Sequence, residues 1–285
     1  MLNSRDFIGC NAPYNEADFV LFGAPFDSTA SFRPGSRFAA QEMRTQSVGM
    51  ETYSPYQDKD MEDLKVFDAG DLQLSIGNTE MALDQVESFT AQILQDRMRP
   101  AMVGGEHLVT LGAVRAVYKH YPDLHVIHFD AHADMRDDYL GAALSHATVM
   151  RRVWDLLGDG RIYQFGVRSG DRSEFLWGRG RIHTQKFNFA GLEGIAEKLG
   201  AKPVYFTFDL DVLDPSVFPG TGNPEAGGAC FGEVMDAIKL LSPLNIVGFD
   251  IVELSPPYDQ SGISTAAACK LLRECLLYFS APFTK

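Results

Sequence analysis

The stretch that decides the fold occupies residues 125–134 and reads His-Val-Ile-His-Phe-Asp-Ala-His-Ala-Asp. Its first half is β-branched and aromatic, which is typical of a buried strand. Asp130, His132 and Asp134 then follow at every second position. Because side chains alternate along an extended chain, all three point to one side. Two carboxylates and one imidazole that converge in this way indicate a metal site, and the alternative is a polar turn that caps the next helix.

Two further strand-like runs end in the same kind of residue. Residues 204–208 (Val-Tyr-Phe-Thr-Phe) lead into Asp209 and Asp211, and residues 101–103 (Ala-Met-Val) lead into Gly-Gly-Glu-His107. The carboxyl ends of parallel strands lie at one edge of a sheet, where such folds bind their ligands. Three strands that each end in such residues are unlikely to occur together by chance, so they favour a metal centre.

Strand-like and amphipathic segments alternate along the chain. We predict strands at residues 19–22, 65–67, 101–103, 126–129, 162–165, near 182, 204–208 and 246–251, and helices at 81–98, 111–119, 148–157, 192–199, 231–241 and 265–277. This alternation predicts right-handed βαβ units, and hence a mostly parallel eight-stranded sheet covered by helices on both faces. No linker or repeat interrupts the pattern, so residues 1–285 are predicted to form one α/β domain.

The composition narrows the class of function. The chain has 25 Lys and Arg residues against 38 Asp and Glu, which gives a net charge of −13. This balance argues against a nucleic-acid partner, which requires basic patches, and it suits a small cationic substrate. The sequence shows no secretory leader pattern and no apolar run of membrane-spanning length, so we expect no membrane partner. Its four cysteines include no close-spaced pair, which indicates free thiols and a cytoplasmic protein.

The three strand endings together offer four carboxylates and two imidazoles as ligands: His107, Asp130, His132, Asp134, Asp209 and Asp211. This set is too large for one ion at ordinary coordination, whereas two ions that share bridging carboxylates use every member. Asp130 and Asp209, each the first residue past its strand, are the natural bridges. We predict that His107 and Asp134 complete the ligands of one ion and that His132 and Asp211 complete those of the other.

The ligand types also indicate which metal binds. Oxygen-rich ligation with one imidazole per ion favours Mn²⁺, although Co²⁺, Ni²⁺ or Zn²⁺ could occupy the site. Two ions roughly 3.5–4 Å apart would deprotonate a shared water and supply hydroxide at neutral pH. His128 also lies in the central strand, and we expect it to be a packed, hydrogen-bonded residue because the six ligands already fill the site.

In their order and spacing these motifs resemble the signature set of the ureohydrolase family, which includes arginases and agmatinases, and they are most similar to the agmatinase version. The likeness runs from about residue 23 to residue 253. It is carried by Gly-Gly-Glu-His107, Asp130-Ala-His132-Ala-Asp134, Ser145-His146, Asp209-Leu-Asp211-Val-Leu-Asp-Pro215 and the glycine-rich loop 220–228. The departures are few: Glu106, Ala147 and Asn223 stand where Asp, Gly and Thr are common in the family.

The resemblance implies a three-layer αβα fold of the arginase type, two Mn²⁺ per chain and hydrolysis of a guanidino group to urea and an amine. It also implies a homo-oligomer, either a trimer or a hexamer. By the same likeness, His146 would act as a proton shuttle and Glu253 would bind the guanidinium of the substrate.

The substrate that the resemblance implies is agmatine, which would be cleaved to putrescine and urea. Arginases hold the α-carboxylate of arginine through Asn, Ser and Thr donors in the loop before the shuttle histidine. Here the loop at residues 135–144 lacks Asn and Thr and carries Asp137 and Asp138, whose carboxylates would attract a terminal ammonium. Arg136 supports an alternative, because an inward guanidinium could hold the carboxylate of guanidinobutyrate or guanidinopropionate.

Other activities fit the sequence less well. Hydrolysis of arginine or of guanidine is a further alternative within the same family. A metal-stabilised structural or regulatory homologue is disfavoured because all six ligands, His146 and Glu253 are present together. A mononuclear zinc amide hydrolase resembling the deacetylases would need fewer ligands, so two metal ions per chain would exclude it.

Overall fold

The computed structural model describes residues 6–280 of the chain. The strands are β1 (Phe19–Ala24), β2 (Tyr53–Ser54), β3 (Lys59–Asp60), β4 (Val66–Asp71), β5 (Arg99–Gly104), β6 (His125–Phe129), β7 (Ile162–Val167), β8 (His183–Lys186), β9 (Pro203–Asp209) and β10 (Asn245–Val252). Eight of them form one parallel sheet in the order β4-β1-β5-β10-β9-β6-β7-β8, and β2 and β3 form a separate antiparallel hairpin. The predicted eight-stranded sheet is therefore confirmed, and the strand expected near residue 182 begins at His183.

Helices connect most of the strands. They are α1 (Ala39–Ser47), α2 (Thr79–Gln95), α3 (Val109–His120), α4 (Val149–Leu157), α5 (Arg172–Gly178), α6 (Leu192–Leu199), α7 (Phe231–Leu241) and α8 (Ile263–Tyr278). The six predicted helices are all present, and α6 and α7 have the predicted bounds. We did not predict α1, α5 or the β2–β3 hairpin.

Successive residues of a strand face opposite sides of the sheet and enter two separate cores. In β1, Phe19 and Leu21 pack in one core with buried residues of α1, α6, α7 and α8. Val20 and Phe22 pack in the other core with buried residues of α2, α3 and α4. The fold is therefore the predicted three-layer αβα arrangement. Burial on both faces explains why the strands read as continuous apolar runs in the sequence.

The helices and the cysteines of the described chain bear on the environment in which the protein works. Between residues 6 and 280, no helix has both the length and the apolar character that crossing a membrane requires. All four cysteines lie in this part of the chain, and each is a free thiol, as predicted.

Candidate metal centre and cleft

Four neighbouring strands in the middle of the sheet bring the predicted site residues together. Strands β5, β10, β9 and β6 lie side by side and run parallel, so their carboxyl ends meet at one edge. His107 follows the end of β5 by three residues, and Asp130 directly follows β6. Asp209 ends β9, and Glu253 directly follows β10. The fold thus delivers side chains that are distant in sequence to one place.

The first group of predicted ligands surrounds His107. Its Nδ1 lies 3.1 Å from Asp130 Oδ2, 3.3 Å from Asp134 Oδ2 and 3.2 Å from Asp209 Oδ2. His107 is 1% exposed and Asp130 is fully buried, so solvent does not screen these charges. Three carboxylates thus converge on one imidazole nitrogen, an arrangement of charges that suits a bound cation.

The second group surrounds His132 and shares Asp130 with the first. His132 Nδ1 lies 2.9 Å from Asp211 Oδ2 and 3.4 Å from Asp130 Oδ1. Asp130 therefore presents Oδ2 to His107 and Oδ1 to His132. The structure brings all six predicted ligands into two groups joined by this one carboxylate. Asp209, which we expected to be a second bridge, forms an ion pair with His107 but with no other histidine in the described chain.

The hydrogen bonds of His107 test whether this cluster suits a cation. Thr207 donates its own proton to Asp250 Oδ1 at 2.7 Å, so its Oγ1, 2.9 Å from His107 Nε2, accepts the Nε2–H. Among the residues that the structure describes, His107 Nδ1 has no hydrogen-bond partner. Burial opposes a charge on the ring, yet the carboxylates of Asp130, Asp134 and Asp209 raise the pKa of His107 well above its usual value. The cluster therefore attracts positive charge at this nitrogen, which a metal ion would supply.

Burial also acts on the carboxylates of the first group. It raises the pKa of Asp209 well above the ordinary range, and it raises the pKa of Asp134 to about 7. Carboxylates held this far from water require a bound cation to remain ionised. Asp134 also has a positive φ of 52°, and Glu253 has one of 66°. Backbone strain of this kind is concentrated at functional sites, where the surrounding structure holds it in place.

His146 begins a short 3₁₀ turn and is held by the loop that follows β1. Its backbone N–H donates to Thr29 Oγ1 at 3.1 Å, and its Nδ1 lies 3.0 Å from the Thr29 carbonyl, which can only accept. The proton therefore resides on Nδ1, and the unprotonated Nε2 accepts a hydrogen bond from the Ser31 hydroxyl at 3.2 Å. Burial lowers the pKa of His146 to about 4. The ring lines the same cleft as the metal cluster without joining it.

Glu253 lies beside the cluster and faces the same cleft. Its Oε1 accepts a hydrogen bond from the backbone N–H of His107 at 2.7 Å. This contact orients the carboxylate, and Oε2 is left for another partner. Burial, with Glu106 nearby, raises the pKa of Glu253 well above its ordinary value. A cationic ligand in the cleft would relieve this unfavourable burial.

The structure does not bring Asp137 and Asp138 to the cleft. Asp137 accepts a hydrogen bond from Arg152 Nη2 at 2.6 Å and lies 3.5 Å from Arg151 Nη2. Asp138 accepts from the backbone N–H of Gly141 at 2.9 Å and so stabilises a turn. Neither aspartate is among the lining residues found in the described part of the chain. This geometry does not support the rim role that we expected for them, because α4 supplies arginines that draw Asp137 outward.

Other acidic residues line the cleft instead. The cleft has a volume of about 530 Å³, and beyond the metal cluster its wall includes Asp171, Glu174 and Glu225. Arg136 also lines it, with its guanidinium 4.7 Å from the Tyr139 ring and 3.6 Å from Glu174 Oε2. Sequence reasoning missed the three acids, although two of them follow β7 at the same sheet edge and Glu225 lies in the glycine-rich loop. All three lie beyond the carboxyl ends of parallel strands, which is the edge of the sheet at which the metal ligands were predicted.

Known proteins are similar to this chain in sequence and in fold. The sequence profile of the Arginase family matches residues 17–278. The agmatinase of Bacillus subtilis (strain 168) is 45% identical over 281 residues, covering 97% of this chain and 97% of that protein. The guanidinobutyrase of Pseudomonas aeruginosa is 34% identical, covering 93% of this chain and 87% of that protein. The crystal structure of agmatine ureohydrolase of Thermoplasma volcanium has a TM-score of 0.89 at 36% identity, covering 98% of this chain and 95% of that one. The chain therefore belongs to the arginase family and is a hydrolase that acts on an amidino group.

Proposed function

We propose that the protein is an agmatinase that hydrolyses agmatine to putrescine and urea with two Mn²⁺ per chain. The observation that carries this proposal is the shared Asp130, which joins two histidine-centred ligand groups at the head of one cleft. His107, Asp134 and Asp209 would hold one ion with Asp130, and His132 and Asp211 would hold the other. As in the prediction from the sequence, Asp130 and Asp209 would each be shared by the two ions.

The bound ions would activate water as a nucleophile at neutral pH and stabilise the charge that develops during attack on the guanidino carbon. Glu253 binds the substrate cation. Its Oε1 is fixed by the His107 backbone, so Oε2 can accept from the planar guanidinium in a charge-assisted hydrogen bond. This pair orients the guanidino carbon toward the cluster and explains why a carboxylate is buried at this position.

His146 moves the proton that the leaving amine needs. The Thr29 carbonyl holds the proton on Nδ1, so Nε2 is the atom that takes up and returns a second proton. Its side chain lies in the cleft, where the bond between the guanidino carbon and the alkyl nitrogen would break. Protonation of that nitrogen lets it leave as a neutral amine, because without the proton it would have to leave as an amide anion.

The charges along the cleft favour an amine-ended substrate. Asp171, Glu174 and Glu225 would attract the terminal ammonium of agmatine. Arg136 is the only arginine or lysine among the lining residues of the described chain, and Glu174 already lies 3.6 Å from its guanidinium. Hydrolysis of guanidinobutyrate or guanidinopropionate is the second candidate, since Arg136 could hold a carboxylate and a guanidinobutyrase is among the relatives.

The test is urea release from agmatine, arginine, guanidinobutyrate, guanidinopropionate and guanidine at one Mn²⁺ concentration. We expect the kcat/KM for agmatine to exceed that for every other compound at least tenfold, a difference of about 1.4 kcal/mol that acidic side chains in a cleft can supply. Arg136→Gln is the matched variant. If the protein is an agmatinase, this variant should hydrolyse agmatine as fast as the wild type does. If it is a guanidino-acid hydrolase, the same variant should lose most of its activity on the guanidino acid. A kcat/KM for arginine or for a guanidino acid that is ten times that for agmatine would overturn the assignment.

We also propose that the protein is cytoplasmic and forms a homo-oligomer, either a trimer or a hexamer. The free thiols support the first proposal and the family likeness supports the second. Light scattering of the purified protein would check the oligomeric state. Elemental analysis of the same preparation that finds two Mn²⁺ per chain would exclude a mononuclear amide hydrolase.

A further inference from the structure

A row of buried polar side chains crosses the sheet beneath the metal cluster, with one residue on each of five adjacent strands. The strand register pairs them in the order Asp250, Thr207, His128, Gln164 and Thr184. Four of the five are fully buried, and Thr184 is partly exposed. Buried polar groups in the middle of an apolar sheet are costly unless each one is hydrogen-bonded, so a continuous row of them requires an explanation.

His128 is the member of this row that contacts the metal cluster. Its Nε2 lies 2.7 Å from Asp130 Oδ2, the same oxygen that faces His107. Its Nδ1 lies 3.1 Å from Gln164 Nε2 on the next strand. The ring therefore connects a predicted bridging carboxylate to the amide of a neighbouring strand.

The partners of Gln164 determine where the proton of His128 resides. The Gln164 Nε2 group also lies 2.7 Å from the carbonyl of Ala133, and a carbonyl can only accept. On its other side, the Thr184 hydroxyl donates to Gln164 Oε1 at 3.0 Å. The amide nitrogen thus faces His128 and donates to Nδ1. A neutral imidazole that accepts at Nδ1 carries its proton on Nε2, which then donates to Asp130.

This arrangement argues against His128 as a further metal ligand. Candidate ligand atoms of His107, His128 and Asp130 all lie within 4.8 Å of one another, so proximity alone would allow it. Ligation through Nε2 would move the ring proton to Nδ1, where it would meet the N–H of Gln164. Two donors would then face each other in a fully buried site, which costs free energy without a compensating bond.

We propose that His128 is a positioning residue whose Nε2–H fixes the rotation of the Asp130 carboxylate, and that Gln164 and Thr184 hold His128 in the tautomer that can do so. The same row acts on the other side of the cluster, where Asp250 and Thr207 fix the same Nε2–H tautomer in His107 and so leave its Nδ1 unprotonated toward the carboxylates. This inference rests on the metal centre of the proposed function. It predicts that Mn²⁺ affinity depends on a residue that does not bind Mn²⁺.

The experiment measures Mn²⁺ binding to the whole protein by electron paramagnetic resonance of the free ion, with no substrate present. His128→Phe keeps a ring and removes the donor, and we expect Mn²⁺ to bind about 10–100-fold more weakly at one or both sites, as is usual when the partner of a ligand is lost. His128→Gln keeps an N–H donor of similar reach, and its affinity should return to within about threefold of the wild type. Gln164→Leu leaves the ring in place and frees its tautomer, and it should weaken binding in the same direction.

The outcomes separate this inference from others. Unchanged Mn²⁺ affinity in His128→Phe, or in Gln164→Leu if the first variant does not fold, would overturn it, because a packing residue would behave in that way. Loss of one whole ion in His128→Gln would show a ligand and would also overturn it. Wild-type protein that binds no Mn²⁺ would instead overturn the proposed function, and with it this inference.

Discussion

At the scale of single residues, Thr29 connects His146, the proposed proton shuttle, to the loop that carries the predicted metal ligand His107. Its hydroxyl donates to Glu106, the neighbour of a predicted ligand, and accepts from the backbone N–H of His146. Its carbonyl accepts the Nδ1 proton of the same histidine. One residue of the loop after β1 thereby sets both the place and the tautomer of the imidazole, without itself facing the reacting atoms.

His146→Ala should keep both metal ions and lose catalysis. We expect kcat to fall by roughly 10²–10⁴-fold, the usual contribution of a positioned acid or base. Steady-state urea release and elemental analysis of the same preparation would check the two halves of this prediction. His183→Ala, at an exposed edge-strand position, is the matched control and should leave kcat unchanged. Loss of metal in His146→Ala would assign that residue to the cluster.

The sequence predicted the position of a side chain wherever the residue lies at the end of a strand. Asp130 and Glu253 directly follow their strands and Asp209 ends its own, so the strand fixes both the place and the direction of each side chain. Asp137 and Asp138 lie further along a loop, where the direction of a side chain depends on partners that are distant in sequence. No pattern in residues 135–144 shows that arginines of α4 reach Asp137.

At the scale of secondary-structure elements, the two missed helices have weak apolar patterns. The buried face of α1 consists of Ala39, Ala40, Met43 and Ser47, so small side chains replace the large apolar ones that reveal a helix. The helix α5 has only seven residues and buries Glu174 and Gly178. The buried Glu174 accepts a hydrogen bond from the backbone N–H of Met135, and so it links α5 to the loop that follows β6. Periodicity finds helices whose fully buried face is a row of large apolar residues, and neither of these helices has such a face.

Arg168 shows how one side chain can shape the loop that follows β9. It lies directly after β7, and its guanidinium donates to the carbonyls of Asp211, Val212 and Glu225 at 2.8, 3.0 and 2.8 Å. No carboxylate is among the hydrogen-bond acceptors found for it in the described chain, so its five donors serve the backbone. The arginine joins a predicted metal ligand to an acid that lines the cleft.

Arg168→Lys should weaken both metal binding and catalysis although it preserves the charge. An ammonium has three donors and no planar fork, so it cannot reach all of these carbonyls. We expect kcat/KM for agmatine to fall about 10–100-fold, as for other residues that orient a metal ligand. Arg161→Lys, at the opposite end of β7, is the control, because that side chain donates to the Pro122 carbonyl far from the cleft. Equal activity of the two variants would show that the loop holds its shape without Arg168.

At the scale of the whole molecule, the sheet has two chemically different edges. The carboxyl edge carries the acidic metal cluster, whereas His125 lies at the amino end of β6 among cations. The alternation of strands and helices was enough to predict the sheet, because that pattern is a property of the whole chain. The polar row beneath the cluster could not be predicted in this way. It depends on the register between strands such as β6 and β7, which a single sequence does not specify.

His125 should make the protein less stable in acid. Burial lowers its pKa to about 4, and Lys202, with Nζ 3.4 Å from Nε2, acts in the same direction. In the unfolded chain a histidine titrates near pH ~6.5, so between about pH 6.5 and 4 the unfolded state binds more protons and stability falls as pH falls. His125→Gln removes this titration. Both proteins should lose stability between pH 7 and pH 4.5, as measured by urea unfolding. The wild type should lose roughly 1–3 kcal/mol more of its free energy of unfolding than His125→Gln does. His120→Gln, at the exposed end of α3, is the control; parallel pH curves for wild type and His125→Gln would contradict the prediction.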